Sequence, residues 1–178
     1  MSARVRALAL VGAECSGKST LAARLAERLG APRVDEYLRE FCDRRRRTPL
    51  VHEQAGIVRE QMRRERLAID AARRDAGAWI VCDTTPLITA LASVVYFDDE
   101  SLLPAAIEHQ RGYALTVLTM PDIDWVADGI QRDGVAVRDR FHRLLDTTLR
   151  THGLRHEAVG GPLEARVETV LEHLQTID

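Results

Sequence analysis

The segment Gly12-Ala-Glu-Cys-Ser-Gly-Lys-Ser19 fits the pattern G-x-x-x-x-G-K-[ST] at every position, and no other feature of the chain limits its fold as much. The largely apolar run Val5–Val11 ahead of it reads as a buried strand. The amphipathic stretch Ser19–Leu29 behind it reads as a helix stopped by Gly30 and Pro32. Strand, glycine loop and helix in this order is the context the pattern requires. In that setting glycines let the backbone curl until successive N–H groups point at phosphate oxygens. The helix N-terminus adds its dipole, Lys18 a compact cation and Ser19 a hydroxyl for magnesium. Lys18 is the only lysine present: the other 24 of the 25 basic residues are arginine, so a chain-wide bias spares one position. The G-x-G-x-x-G fingerprint of dinucleotide sites is not present at this loop.

Further apolar runs recur with helical stretches between them. Arg33–Tyr37, Trp79–Cys82, Tyr113–Met120 and Arg155–Val159 read as strands; Val51–Ala76, Leu87–Tyr96, Arg138–Thr151 and Pro162–Leu174 read as helices. Strands separated by helices predict an α/β, three-layer P-loop NTPase fold: a five-stranded parallel sheet with helices on both faces. The polar, glycine-containing stretch 122–140 is too long for a tight turn and is expected to form a short lid. Residues 1–178 are expected to form a single domain.

Composition narrows the function classes. No apolar run reaches the roughly 18–20 residues of a membrane span, and Met1–Val11 lacks a secretory cleavage pattern, so a cytoplasmic protein with no membrane partner is expected. A net charge of −2 gives no general attraction to nucleic acid, and the run Arg44–Arg47 lacks interleaved aromatics and reads as a solvated helix end. Cys15, Cys42 and Cys82 have no disulfide or zinc spacing and read as reduced thiols. His152 and His156 have Gly153 between them, which interrupts any shared ligand-bearing helix. Nothing in the sequence signals an oligomeric state.

Asp83, at the end of Trp79-Ile-Val-Cys, is placed beside the phosphate loop, where a carboxylate holds magnesium or its waters. Asp35 and Glu36, after the second strand, fall in the same crevice and suit an acceptor hydroxyl; the competing reading is a helix N-cap pair. Arg132 and Arg138, and with less support Arg140, fall in or beside the lid, where a guanidinium neutralises developing charge. A chain whose only lysine is Lys18 has no N-K-x-D guanine-reading segment, and it is short for a motor ATPase. A small-molecule kinase using ATP and Mg2+ fits best.

GAECSGKSTLAARLA, DEYLREF, IVREQ, WIVCDTT, WVADGIQRDG and VGGPLEAR together resemble the kinase domain of the NadR-like ribosylnicotinamide kinases, a family also described as AAA-type ATPases of NAD metabolism. The resemblance spans roughly Arg6–Leu174. It implies transfer of the ATP γ-phosphoryl group to the 5′-hydroxyl of nicotinamide riboside. Carried over by residue, Gly12, Ala13, Glu14, Cys15, Ser16, Gly17, Lys18, Ser19 and Thr20 match the nucleotide loop, with Ser19 and Asp83 for the metal. Glu36 matches the acidic position after the second strand; Arg39 and Gln61, with Asp35, belong to the riboside pocket. Arg132 and Arg138 belong to the lid, and Gly160 and Gly161 admit adenine. The chain departs from the family pattern at Glu53, where aspartate is frequent, and at Thr84-Thr85-Pro86. The adenylyltransferase and DNA-binding domains of the multifunctional bacterial regulator are expected to be absent. A kinase for another nucleoside, nucleotide or small metabolite, and a regulatory ATP-binding module, remain as alternatives.

Overall fold

The structure is a computed structural model that describes residues 5–124 and 134–177. Five strands, β1 (Arg6–Val11), β2 (Arg33–Val34), β3 (Trp79–Asp83), β4 (Leu115–Thr119) and β5 (Glu157–Val159), form one parallel sheet in the order β2-β3-β1-β4-β5. The central strand pairs Leu10 with Asp83 on one side and with Val117 on the other. The chain leaves β1 toward β2 on one side and leaves β3 toward β4 on the other, so the crevice at the carboxyl ends of the neighbouring strands β1 and β3 is a topological switch point, where open α/β sheets bind ligands.

Alternation along β1 explains the layers. Leu8 and Leu10 face α1 (Lys18–Leu29) and α7 (Leu163–Gln175), packing with Leu21, Leu25, Val167 and Val170. Val11 turns the other way, onto α4 (Pro86–Phe97) and α6 (Val135–Thr151), among Leu87, Leu91, Leu145 and Leu149. Both faces of the sheet are covered, which is why its strands read as apolar runs rather than as alternating ones.

Several boundaries differ from the sequence expectation. β2 stops at Val34, because Asp35 and Glu36 leave the sheet and Glu36 becomes the N-cap of α2 (Tyr37–Arg45). α3 (Val51–Arg74) starts with Glu53 accepting a hydrogen bond from Leu50 N at 2.8 Å while Arg47 grips the same carboxylate at 2.6 and 2.8 Å. This network holds Glu53 down to about 2, through Arg47 first and the Leu50 amide second. α5 (Leu103–Gln110) escaped the periodicity reading: it is eight residues long, with a proline in its first turn. α6 begins at Val135, so residues 135–140 of the expected lid are helix; Arg132 lies outside the described residues. No described helix is long and apolar enough to cross a membrane.

Candidate active site

The phosphate loop is shaped by what stands behind it. Gly12 (φ 157°) passes so close to β4 that a Cβ would collide with Thr119 Oγ1 and lie 3.0 Å from the Thr119 carbonyl oxygen. Ser16 Oγ donates to Ala13 O at 2.7 Å and lies 2.6 Å from Thr119 Oγ1, which donates to Val11 O at 3.2 Å. Cys15 (φ 51°) and Gly17 (φ 80°) take the left-handed conformations that curl the chain, and Gly17 is the N-cap of α1. No acidic residue occupies the first turn of α1, so its N-terminus is left for an external anion. Lys18 Nζ donates to Ala13 O at 2.9 Å. Burial pushes the Lys18 ammonium down from its ordinary value, against the opposing pull of Glu36 and Asp83.

Those two carboxylates meet Ser19 around a charged recess of about 430 Å³. Asp83 is buried at the end of β3, and its Oδ1 has no hydrogen-bond partner among the described residues. Such an atom calls for a ligand, because desolvating a carboxylate without compensation is costly. Glu36 has a side chain only 13% exposed, with Arg39 Nε at 3.5 Å. Burial raises the Glu36 carboxyl above the usual carboxylate range, with Lys18 and Arg39 pulling the other way. Asp35 also borders the recess, but it is exposed and held by Arg33 at 2.6 Å. Ser19 and Asp83 have the hard oxygen donors that suit Mg2+.

A second cavity of about 1110 Å³ opens from the loop. One wall comes from the α2–α3 junction and includes Asp43 and Gln54; the other is apolar and aromatic, with Ile88, Tyr96 and Phe97 from α4 and Phe141 from α6. Arg138 also lines it, nearly buried, with Nη1 donating to Ile123 O at 3.1 Å and Nε paired to Asp139 at 3.1 Å. Gln61 lines neither cavity: its Oε1 accepts from Tyr37 N at 3.0 Å and so satisfies the N-terminus of α2. Gly160 and Gly161 likewise lie outside both linings.

What those glycines touch is a residue the sequence reading left without a role. Arg166, 2% exposed, donates Nε to Gly161 O at 2.8 Å and Nη1 to Ser16 O at 2.7 Å, and pairs Nη2 with Asp122. Asp122 Oδ2 also accepts from Gly161 N at 2.6 Å. One guanidinium thus binds the phosphate loop, the end of β4 and the β5–α7 turn into a unit, using the fork geometry that lysine lacks. In the sequence Arg166 shows only as the last residue of the segment VGGPLEAR.

A family model described as an AAA domain matches residues 7–166. No curated protein matches the chain by sequence. Among solved structures, NadR protein in complex with NAD and AMP-PNP superposes with a TM-score of 0.78 at 19% identity, covering 98% of this chain and 49% of that one. NadR in complex with NR gives 0.73 at 17% identity, over 98% and 52%. Deoxyadenosine kinase from M. mycoides, with products dCMP and dCDP, gives 0.65 at 13% identity over 96% and 100%. The chain therefore has the fold of these proteins and spans about half the length of the NadR structures.

Proposed function

The chain belongs to the AAA domain family, and we propose that it is an ATP-dependent small-molecule kinase that converts nicotinamide riboside to nicotinamide mononucleotide. The observation that carries the reading is one crevice in which Ser19, Glu36 and Asp83 border a recess that adjoins a cavity of about 1110 Å³ lined by Lys18. That volume exceeds the roughly 300–1,000 Å³ of a single-ligand pocket, leaving room for a nucleotide and an acceptor together.

Phosphoryl transfer asks mainly for positioning and charge stabilisation. The loop from Gly12 to Thr20, including Ala13, Glu14, Cys15 and Ser16, cradles the phosphates with its amides, and Lys18 exchanges Ala13 O for phosphate oxygens. Ser19 and Asp83 hold Mg2+, which when bound neutralises charge on the phosphates. The acceptor's 5′-oxygen forms the new bond to the γ-phosphorus as the bond to the ADP oxygen breaks, and its proton passes to the Glu36 carboxylate. Burial makes Glu36 a stronger base than an exposed glutamate. Arg39 keeps Glu36 oriented; Asp35 and Gln61 support the acceptor side, Gln61 by fixing α2. Arg138, with Arg132, neutralises developing charge, and Gly160 and Gly161 form the adenine-side turn.

The test is a panel of nucleosides and metabolites with ATP and Mg2+, reading ADP release against a no-acceptor control. Release stimulated by nicotinamide riboside, with a phosphorylated product of matching mass, is the expected result. Stimulation by deoxyadenosine alone would favour a kinase of another nucleoside, a reading supported by the full-length superposition on deoxyadenosine kinase. ADP release that no acceptor stimulates would favour a regulatory ATP-binding module.

A further inference from the structure

The α2–α3 wall of the larger cavity holds a buried polar atom that no hydrogen bond among the described residues satisfies. Gln54, in the first turn of α3, is 4% exposed and lines the cavity, yet its Oε1 has no hydrogen-bond partner among the described residues. Buried amide oxygens are nearly always satisfied, so an orphan on a residue that lines a ligand cavity marks a place where the ligand supplies the donor. Glu53, the residue before Gln54, is committed to Arg47 and Leu50 N, and Gln61 Oε1 to Tyr37 N, while Gln61, with its Nε2 unpaired among the described residues, lies outside the cavity lining. On the same wall Asp43 borders both cavities and forms no ion pair with a described residue, since Arg39 turns to Glu36 and Arg47 to Glu53. The opposite wall, with Tyr96, Phe97 and Phe141, offers flat apolar surface to the face of a ring.

We propose that Gln54 is a specificity-determining residue, which selects acceptors whose heterocycle carries an N–H donor at its edge, while the Asp43 carboxylate repels acceptors that carry a carboxylate there. The inference rests on the kinase reading of the site and specifies its substrate class: an uncharged, amide- or amine-bearing edge on a nucleoside. Sites built to hydrogen-bond a substrate N–H reject analogues lacking it, because the site's own polar group is then left unpaired.

Three acceptors of one shape separate the two effects: nicotinamide riboside, its acetyl analogue in which methyl replaces the amino group, and nicotinic acid riboside. The wild-type protein is expected to use the carboxamide on the order of 100-fold better than the acetyl compound in kcat/KM, and the carboxylate worst of all. Gln54→Leu is expected to bring the carboxamide-to-acetyl ratio to about 1, and Gln54→Asn to restore part of it, a change that general loss of folding does not produce. Asp43→Asn is expected to narrow the gap between the acetyl compound and the carboxylate. Equal use of carboxamide and acetyl acceptors by the wild-type protein overturns the proposal without any variant. So does a Gln54→Leu protein that loses both acceptors in proportion. Wild-type protein that phosphorylates none of the three but does phosphorylate adenosine refutes nicotinamide riboside as substrate. Adenosine against purine riboside, which lacks the exocyclic amine, then decides Gln54 by the same ratio, with equal use again overturning it.

Discussion

On the phosphate-loop side of the crevice, Ser16, Thr119, Lys18 and all three nitrogen groups of Arg166 have partners within the protein. On the acceptor side, Gln54 Oε1 is buried with none among the described residues, as is Asp83 Oδ1 where the two sides meet. The difference teaches that the cradle for phosphate is preformed, its curl fixed by contacts that need no ligand, whereas the acceptor half reaches full polar satisfaction only with something bound. Thr84, at φ 91°, stores backbone strain at the same place, directly after Asp83.

The largest effect tests the preformed half. Lys18→Ala removes the one loop cation without touching its scaffold, so turnover should fall by roughly 10²–10³-fold. The melting temperature should hardly change, a pairing checked by steady-state kinetics and thermal unfolding on the same preparation. The two carboxylates sharpen the contrast between the halves. Asp83→Asn should depress both acceptor phosphorylation and acceptor-independent ATP hydrolysis on the order of 100-fold, with a raised Mg2+ requirement. Glu36→Gln should spare the background hydrolysis and lower only the acceptor reaction. Because Glu36 acts as the carboxylate and burial raises its pKa, acceptor phosphorylation should be present above that raised value and lost as pH falls through it. That acid limb should vanish in Glu36→Gln; swapped phenotypes would assign Asp83 as the base.

Smaller effects probe the scaffold. Arg166→Met removes a buried guanidinium from its pairing with the part-exposed Asp122 and frees Ser16 O, so a loss of about 1–3 kcal/mol in stability is expected. A KM for ATP raised more than kcat is lowered would show that loop geometry suffers as well. A variant with wild-type stability and KM would dissociate the Arg166 node from the nucleotide half. The smallest effect belongs to Glu53→Gln. Its carboxyl sits near 2 when folded, so its contribution is present above the unfolded carboxylate range and fades as pH falls toward 2. The variant's deficit in melting temperature should therefore be visible at neutral pH and shrink on acidification.

The same contrast governs what the sequence disclosed. The phosphate loop is a local pattern, eight consecutive residues whose chemistry is carried mostly by backbone, and it is where Gly12, Lys18 and Ser19 were expected. Asp83 ends β3, and Glu36 stands two residues beyond the end of β2 as the N-cap of α2, so strand ends are what made both legible. The acceptor wall is assembled from α2, α3, α4 and α6, elements whose juxtaposition no spacing reveals. Gln54 therefore passed unnoticed, and Gln61, seven residues on, drew attention for a role that the geometry gives to holding α2. Arg166 was hidden for a related reason: three of its partners, Ser16, Gly161 and Asp122, come together only through the order of β1, β4 and β5.

The central claim is that this crevice moves a phosphoryl group to a bound hydroxyl rather than to water. Phosphorus NMR of wild-type protein with ATP, Mg2+ and nicotinamide riboside follows the γ-phosphoryl group directly. The account predicts that the ATP γ-resonance is replaced by a phosphomonoester on the 5′-oxygen in step with ADP, and that Glu36→Gln shifts the residual signal toward inorganic phosphate. ADP accompanied only by inorganic phosphate in the wild-type protein, at the same rate with and without the riboside, would contradict it.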